Sequence, residues 1–536
     1  MEMTEAAKRY PRYIRVLCLQ LLFGVVLVGI APIASQGQSF EHATKDKILA
    51  ALPKLEKAAQ HVIANGGVPG ISIAVVYQDE VVYLKGFGVR EDGKSDLVDA
   101  DTVFQLASFS KPMASTVVAA IVSEGVASWD SRIVDIDPSF QLYDAYPTAQ
   151  VTVRDLFSHR SGLPGGAGNE LEEIGYDRDA ILQRLRQVKP ESSFRSGYSY
   201  SNFGLTAGAV AVAKAAGMSW EDAAEAKLYK PLGMSSTSSR YADFLTRINR
   251  ATLHVPLDGK WRALAKRDPD AQSPAGGVSS NARDLAQWIR LELANGNYDG
   301  KPLIDAEAIS QTHMPLMARG KNPVTGGWSF YGLGWNVEYG RYGEVWGHAG
   351  AFSTGARTLV SLLPAEELGI VVLTNAFPTG VPEALADTFF ELVMIGKTTK
   401  DWVIEWNNIY GQLFGPAIEA AIKHYGTPPA SPLPALPLSA YAGTYFNPYI
   451  GRAVVAEKDG TLEIRLGPEG KSVFPLSHFD RDLYTYRPSA EMPTMPVAVT
   501  FEIGSDQKAA QVTIDDLNEL GLGVLTRIET DRPASP

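Results

Sequence analysis

The sequence predicts an α+β protein: one antiparallel sheet covered by helices, followed by a small all-β domain. Three observations carry this. β-Branched runs alternate with short turns at 68–88 and again at 344–376. Between them, about 105–320 has helical periods broken by Gly and Pro. Beyond a proline-rich stretch, short alternating apolar runs succeed one another at hairpin spacing. Strands at both ends of a helical region close most simply as one sheet with a helical layer.

Taken in order, residues 1–35 come first. "KRYPRYIR" is positively charged, "VLCLQLLFGVVLVGIAPIA" is apolar, and "SQGQS" offers small residues for cleavage. This is the layout of a secretory signal. The apolar run is also about long enough for an uncleaved membrane anchor. Both readings place the body outside the cytoplasm, periplasmic or secreted.

Next, "VPGISIAVVYQDEVVYLKGFG" reads as two strands around Gln78-Asp79-Glu80. The helical stretch follows, then "EVWGHAGAFSTGARTLVSLLPAEELGIVVLTNA" returns to strands. Residues 45–400 are thus expected to form one α+β domain. A helical segment and linker occupy 401–438, where "TPPASPLPALPL" holds five prolines in twelve residues and favours an extended tether. Residues 439–530, with turns at Asp459-Gly460 and near Ser505-Asp506, are expected to form a sandwich or barrel of hairpins. No internal repeat is found.

Composition narrows the function. A formal net charge of −11 argues against a nucleic-acid partner, which would need a basic surface. The single cysteine, Cys18, lies in the apolar leader, so the body has no thiol for disulfides, thiolate metal sites or a cysteine nucleophile. The histidines at 42, 61, 254, 313, 424 and 478 lack metal-ligand spacing, so neither a metal nor a cofactor is expected. "AFSTG" begins with alanine and does not make a G-x-S-x-G elbow.

The chemistry is concentrated in three short motifs. In "FQLASFSKPMAS", Ser108 precedes Lys111 by three residues where a helix is expected to begin, so the amine can reach the hydroxyl from the same face. A lysine, ordinarily near pKa 10.4, serves as a base at neutral pH only if burial or cations favour its neutral form. In "GYSYSNFG", the Tyr200 phenol can pass a proton to a leaving group, and the Asn202 amide can hold a carbonyl. In "WGHAGAF", His348 opens a strand where Gly350 would let a substrate approach the backbone. His159, in "SHRSG", reads as a turn residue.

Together, S-x-x-K, Y-x-N and H-x-G in this order resemble the serine β-lactamase and DD-peptidase superfamily, especially its class C, DD-carboxypeptidase and esterase branch. "LFSHRSGLP", "YKPLGM", "SPAGGVSSNARDLAQW" and "YGLGW" add landmarks over most of residues 45–400. The resemblance implies that Ser108 is the acyl-forming nucleophile, Lys111 its base and Tyr200 a partner in proton transfer. It further implies an oxyanion site made by the N–H groups of Ser108 and Ala351, with donors of this kind contributing about 3 to 4 kcal/mol. Asn202 is expected to orient the substrate amide and Lys111. Where β-lactamases usually carry lysine in the third motif, His348 is mostly neutral near pH 7; the change favours peptides or esters over β-lactams.

The expected function is an exported serine peptidase without cofactor, acting on short or unusual peptides, D-residue-containing or linearised cyclic ones among them. An esterase or weak β-lactamase with the same residues is the alternative, and a non-catalytic receptor or assembly protein on the same fold is a more distant one. "LSAYAGTYFNP" and the hairpin pattern give the C-terminal unit a resemblance to the lipocalin-like domains appended to some peptidases of this superfamily. Its stiff tether should dock it over the cleft or against a second copy of the chain, which leaves a homo-oligomer open.

Overall fold

The computed structural model describes residues 42–488 and 492–529. The leader expected at 1–35 lies outside the described residues. Among those described, no helix is long and apolar enough to cross a membrane.

The first helix, α1 (Lys45–Ala64), starts where the Thr44 side chain accepts the Lys47 N–H at 3.3 Å. Its buried residues Ile48, Leu52, Leu55, Ala59 and Val62 recur at three- and four-residue intervals, so one face is apolar. Then come β1 (Gly70–Tyr77) and β2 (Glu80–Gly88), the hairpin expected around residues 78–80. The central helix α2 (Ser110–Ser123) is buried almost throughout. Helices α3 (Asn202–Ala215) and α4 (Ala282–Leu293) flank it. Six strands complete the sheet: β3 (Met317–Lys321), β4 (Trp328–Tyr331), β5 (Asn336–Gly340), β6 (Gly343–Phe352), β7 (Ala356–Leu363) and β8 (Leu368–Thr374).

The eight strands run in the order β2-β1-β8-β7-β6-β5-β4-β3, every pairing antiparallel. The N-terminal hairpin therefore pairs with the last strand of the domain, which closes the sheet from both ends of the chain. Strand alternation sorts the core into two layers. Ile71, Ile73 and Val75 face α1 and α5 (Val381–Ile395), whereas Ala74 and Val76 face the layer containing α2 and α4.

A long helix, α6 (Trp402–Tyr425), leads to the proline-rich tether. The C-terminal unit is a closed, lipocalin-like barrel of eight consecutive antiparallel strands: β9 (Gly443–Asn447), β10 (Gly451–Lys458), β11 (Thr461–Leu466), β12 (Ser472–Asp480), β13 (Leu483–Tyr486), β14 (Val497–Ile503), β15 (Ala509–Ile514) and β16 (Val524–Ile528). β9 pairs with β16, so no edge strand is left over. Tyr441, Tyr484 and Phe501 pack edge-on or tilted inside it.

Candidate active site

Ser108 does not open α2 directly. It sits in a single 3-10 turn, Ala107–Phe109, with α2 beginning at Ser110. The turn is pinned from three directions. Leu106 N–H donates to Val278 O at 2.9 Å, Thr358 Oγ1 donates to Leu106 O at 2.7 Å, and Ser110 Oγ donates to Ala107 O at 2.7 Å. Ala107 has φ +50°, a left-handed conformation that costs a non-glycine residue about 1 to 2 kcal/mol. This strained pitch leaves Ser108 partly exposed while Ala107 and Phe109 are fully buried.

Lys111 points back along α2 and is fully buried. Its Nζ lies 3.1 Å from Ser108 Oγ, 2.8 Å from Asn202 Oδ1 and 2.9 Å from Ala275 O. All three acceptors are uncharged. Burial holds the Lys111 pKa well below the usual lysine range. The amine therefore has access to the neutral form that a base requires.

Tyr200 comes from the loop ahead of α3. Burial pushes its phenol well above the usual tyrosine value, with a hydrogen bond to Ser108 working the other way. It is thus a protonated phenol at neutral pH, with the Lys111 amine 4.5 Å from the centre of its ring. Asn202, the first residue of α3, accepts from Lys111 through Oδ1 and donates through Nδ2 to Asn169 Oδ1 at 3.3 Å. His159, at φ +57°, is the turn residue that its context suggested: its Nδ1 accepts the Ser201 N–H at 3.1 Å, and its ring centre lies 4.5 Å from that of Tyr200.

The third motif lies on β6, and two of its residues take different places from those expected. His348 is 1% exposed, so it does not offer a free imidazole to a substrate carboxylate. Its Nδ1 bonds to Ala349 O at 2.7 Å, which leaves Nε2 as acceptor for the Tyr331 hydroxyl at 3.0 Å. Burial, with Lys111 nearby, holds its pKa well below the usual histidine value. His348 is therefore neutral and buttresses Tyr331. Gly350 is also reassigned. A Cβ there would lie 2.0 Å from Leu106 O and 2.9 Å from Phe109 N, so the backbone it admits is the Ser108 turn.

That contact brings the Ser108 turn against Gly350 and Ala351. β5 pairs with β6 only as far as Gly347, whereas β7 pairs with it up to Phe352. Among the described residues, the edge from His348 to Phe352 has no strand neighbour on its β5 side. A peptide backbone can lie along such an edge. Ala351, partly exposed, stands on it next to Gly350, which packs against the Ser108 turn.

Sequence reasoning missed Ala275, Asn169 and Tyr449. Ala275 acts through its carbonyl, although "SPAGGVSS" had marked the segment. Asn169 begins a short helix, Asn169–Glu173, that the barrel holds from behind. Tyr449 Oη accepts the Gly168 N–H at 2.8 Å and is hydrogen-bonded to Glu170, whose buried carboxyl is pushed up to about 8, chiefly by burial. Tyr176 Oη, donating to Ile450 O at 2.9 Å, fixes the same contact.

Comparison with known proteins follows the same division of the chain. A family model described as Beta-lactamase matches residues 55–392. The chain belongs to the Beta-lactamase family. It is a serine hydrolase by that membership. A second model, a domain of unknown function (DUF3471), matches residues 427–523. Penicillin-binding protein 4 of Amycolatopsis lactamdurans is 26% identical over 70% of this chain and 93% of its own length. The unguisins hydrolase ungD' of Aspergillus campestris is 26% identical over 71% of this chain and 73% of its own. The D-alanyl-D-alanine-carboxypeptidase/endopeptidase AmpH of Escherichia coli is 23% identical over 65% and 90%. The octameric penicillin-binding protein homologue from Pyrococcus abyssi shares the fold with a TM-score of 0.55 at 20% identity, covering 86% of this Beta-lactamase family chain and 98% of that one.

Proposed function

We propose that the protein is an exported serine peptidase that forms an acyl-enzyme on Ser108 and acts on short or unusual peptides. The observation that carries this reading is the buried Lys111 amine, 3.1 Å from Ser108 Oγ and surrounded by uncharged acceptors. The relative named as a D-alanyl-D-alanine-carboxypeptidase/endopeptidase supports the peptide substrate class, and the one named as an unguisins hydrolase supports hydrolysis. The charged and apolar pattern of residues 1–35 supports export, and the octameric homologue supports self-association.

In the proposed cycle, Ser108 Oγ bonds to the substrate carbonyl carbon as its proton passes to neutral Lys111. The carbonyl oxygen takes the negative charge between the N–H groups of Ser108 and Ala351. The carbon–nitrogen bond then breaks as Tyr200 gives its phenolic proton to the departing nitrogen and regains one from the Lys111 ammonium. Water repeats the sequence on the acyl-enzyme: its proton goes to the base, its oxygen to the carbonyl carbon, and Ser108 leaves as the hydroxyl. Asn202 holds the amine in place through both steps.

A fluorophosphonate probe is expected to label Ser108, and Ser108→Ala to abolish turnover with the fold retained. Labelling at Ser110, whose hydroxyl is bonded to Ala107 O, or at Ser353 overturns the assignment. Incubation with peptides of L- and D-residues, read by mass spectrometry, distinguishes the peptidase from the esterase: turnover of p-nitrophenyl esters without any amide cleavage supports the esterase.

A further inference from the structure

The barrel reaches the hydrolase domain at a second place, at the end of the strand that carries Ala351. The connection between β13 and β14 carries Met492, whose backbone N–H donates to Ser353 Oγ at 2.9 Å. Among the described residues of this connection, Met495 N–H donates to Met492 O at 2.9 Å, and Arg487 Nη1 donates to Thr494 O at 2.6 Å. Ser353 is the residue after β6, two positions beyond Ala351. Met492 and Ala351 pack against the same apolar cluster, Phe377, Tyr410 and Phe414. The Met492 side chain remains partly exposed.

The position of the proton donor orients the substrate relative to Met492. The leaving nitrogen or oxygen has to meet Tyr200, whose ring centre is 6.2 Å from that of His348 at the beginning of the open edge. The leaving half of the substrate therefore lies toward His348. The acyl half runs the opposite way, from Ala351 toward Phe352 and Ser353. Each extended residue advances about 3.3 Å, so two acyl residues span about 7 Å and reach the level of Ser353.

Resting on the reading of Ser108 as nucleophile, we propose that Met492 is a specificity-determining residue: the barrel supplies with it the apolar end wall of the acyl-side groove. The substrates favoured are peptides and esters with an apolar acyl part at least two residues long. Neither domain alone builds this subsite.

The test uses the full chain and p-nitrophenyl esters carrying acetyl, N-acetyl-leucyl-leucyl or N-acetyl-aspartyl-leucyl groups. Wild type is expected to prefer the leucyl-leucyl ester to the acetyl ester in kcat/KM. Met492→Ala should cut that preference about tenfold, the scale of one lost apolar pocket contact. Met492→Lys should turn the preference toward the aspartyl-leucyl ester. Fluorophosphonate labelling of Ser108 in all three proteins confirms that the site is assembled. Preferences unchanged within about twofold in both variants, with labelling intact, overturn the role of Met492 and leave the Ser108 reading standing. Failure of wild type to label overturns that reading and the proposal with it.

Discussion

Lys111 and Arg357 are both buried basic side chains on the two flanks of β6, and their pKa values move in opposite directions. Arg357, on β7 opposite Ala351, is 3% exposed and pairs with Glu383; the Tyr410 hydroxyl donates to the same carboxylate at 3.1 Å. Burial is the largest single influence and would lower its pKa, but the Glu383 charge, Tyr410 and the hydrogen bonds to both together raise it. Lys111 has no such countercharge among its hydrogen-bond acceptors, and burial lowers its pKa without opposition. The comparison teaches that the charge of the neighbour, rather than depth, decides whether a buried cation is structural or available as a base.

Removing Lys111 should have the largest effect. Lys111→Ala is expected to slow acylation about 10²- to 10⁴-fold, the usual worth of a positioned base, as read by the rate of fluorophosphonate labelling. A near-normal rate would identify another base. Breaking the opposite pair should instead affect stability: Glu383→Ala strands the Arg357 charge and is expected to cost about 3 to 5 kcal/mol in urea unfolding. If stability is unchanged, Arg357 is not held by Glu383.

The sharpest test makes the first site resemble the second. Asn202→Asp would place a carboxylate where the amide oxygen now lies 2.8 Å from Lys111 Nζ. An opposite charge favours the ammonium, so the Lys111 pKa should rise by about 1 to 3 units. In wild type Lys111 is neutral above its lowered pKa, so acylation is expected at high pH and expected to fall as pH drops through that value. In Asn202→Asp the same acid limb should move to higher pH, with labelling at pH 7 reduced about tenfold or more. A pH profile that does not move would show that Lys111 does not set it.

Side-chain chemistry at fixed spacing made much of this site legible in the sequence. Ser108, Lys111, Tyr200 and Asn202 meet because a helical turn and a two-residue step carry them there, and the hairpin pattern foretold the strands of the barrel. Contributions from the main chain had no such signature. The Ala275 carbonyl could have come from any residue, and Gly350 reveals a close approach without saying whose backbone approaches. His348 was read from its intrinsic pKa, whereas its place against Tyr331 depends on how two strands of the sheet, with a third between them, bring the side chains together. Asn169 meets Asn202 from another helix, and Tyr449 and Met492 belong to contacts between domains, which periodicity within one segment does not encode.

The open stretch of β6 also bears on solubility. An unpaired strand edge is where the sheets of separate molecules join and aggregation begins. Here the edge is only five residues long, from His348 to Phe352, and its residues are buried or partly buried. The barrel meets its far end where the Met492 N–H donates to Ser353 Oγ at 2.9 Å, so another folded sheet would have to approach past the barrel. Losing the barrel would uncover a place where the sheet of one molecule can continue into that of the next.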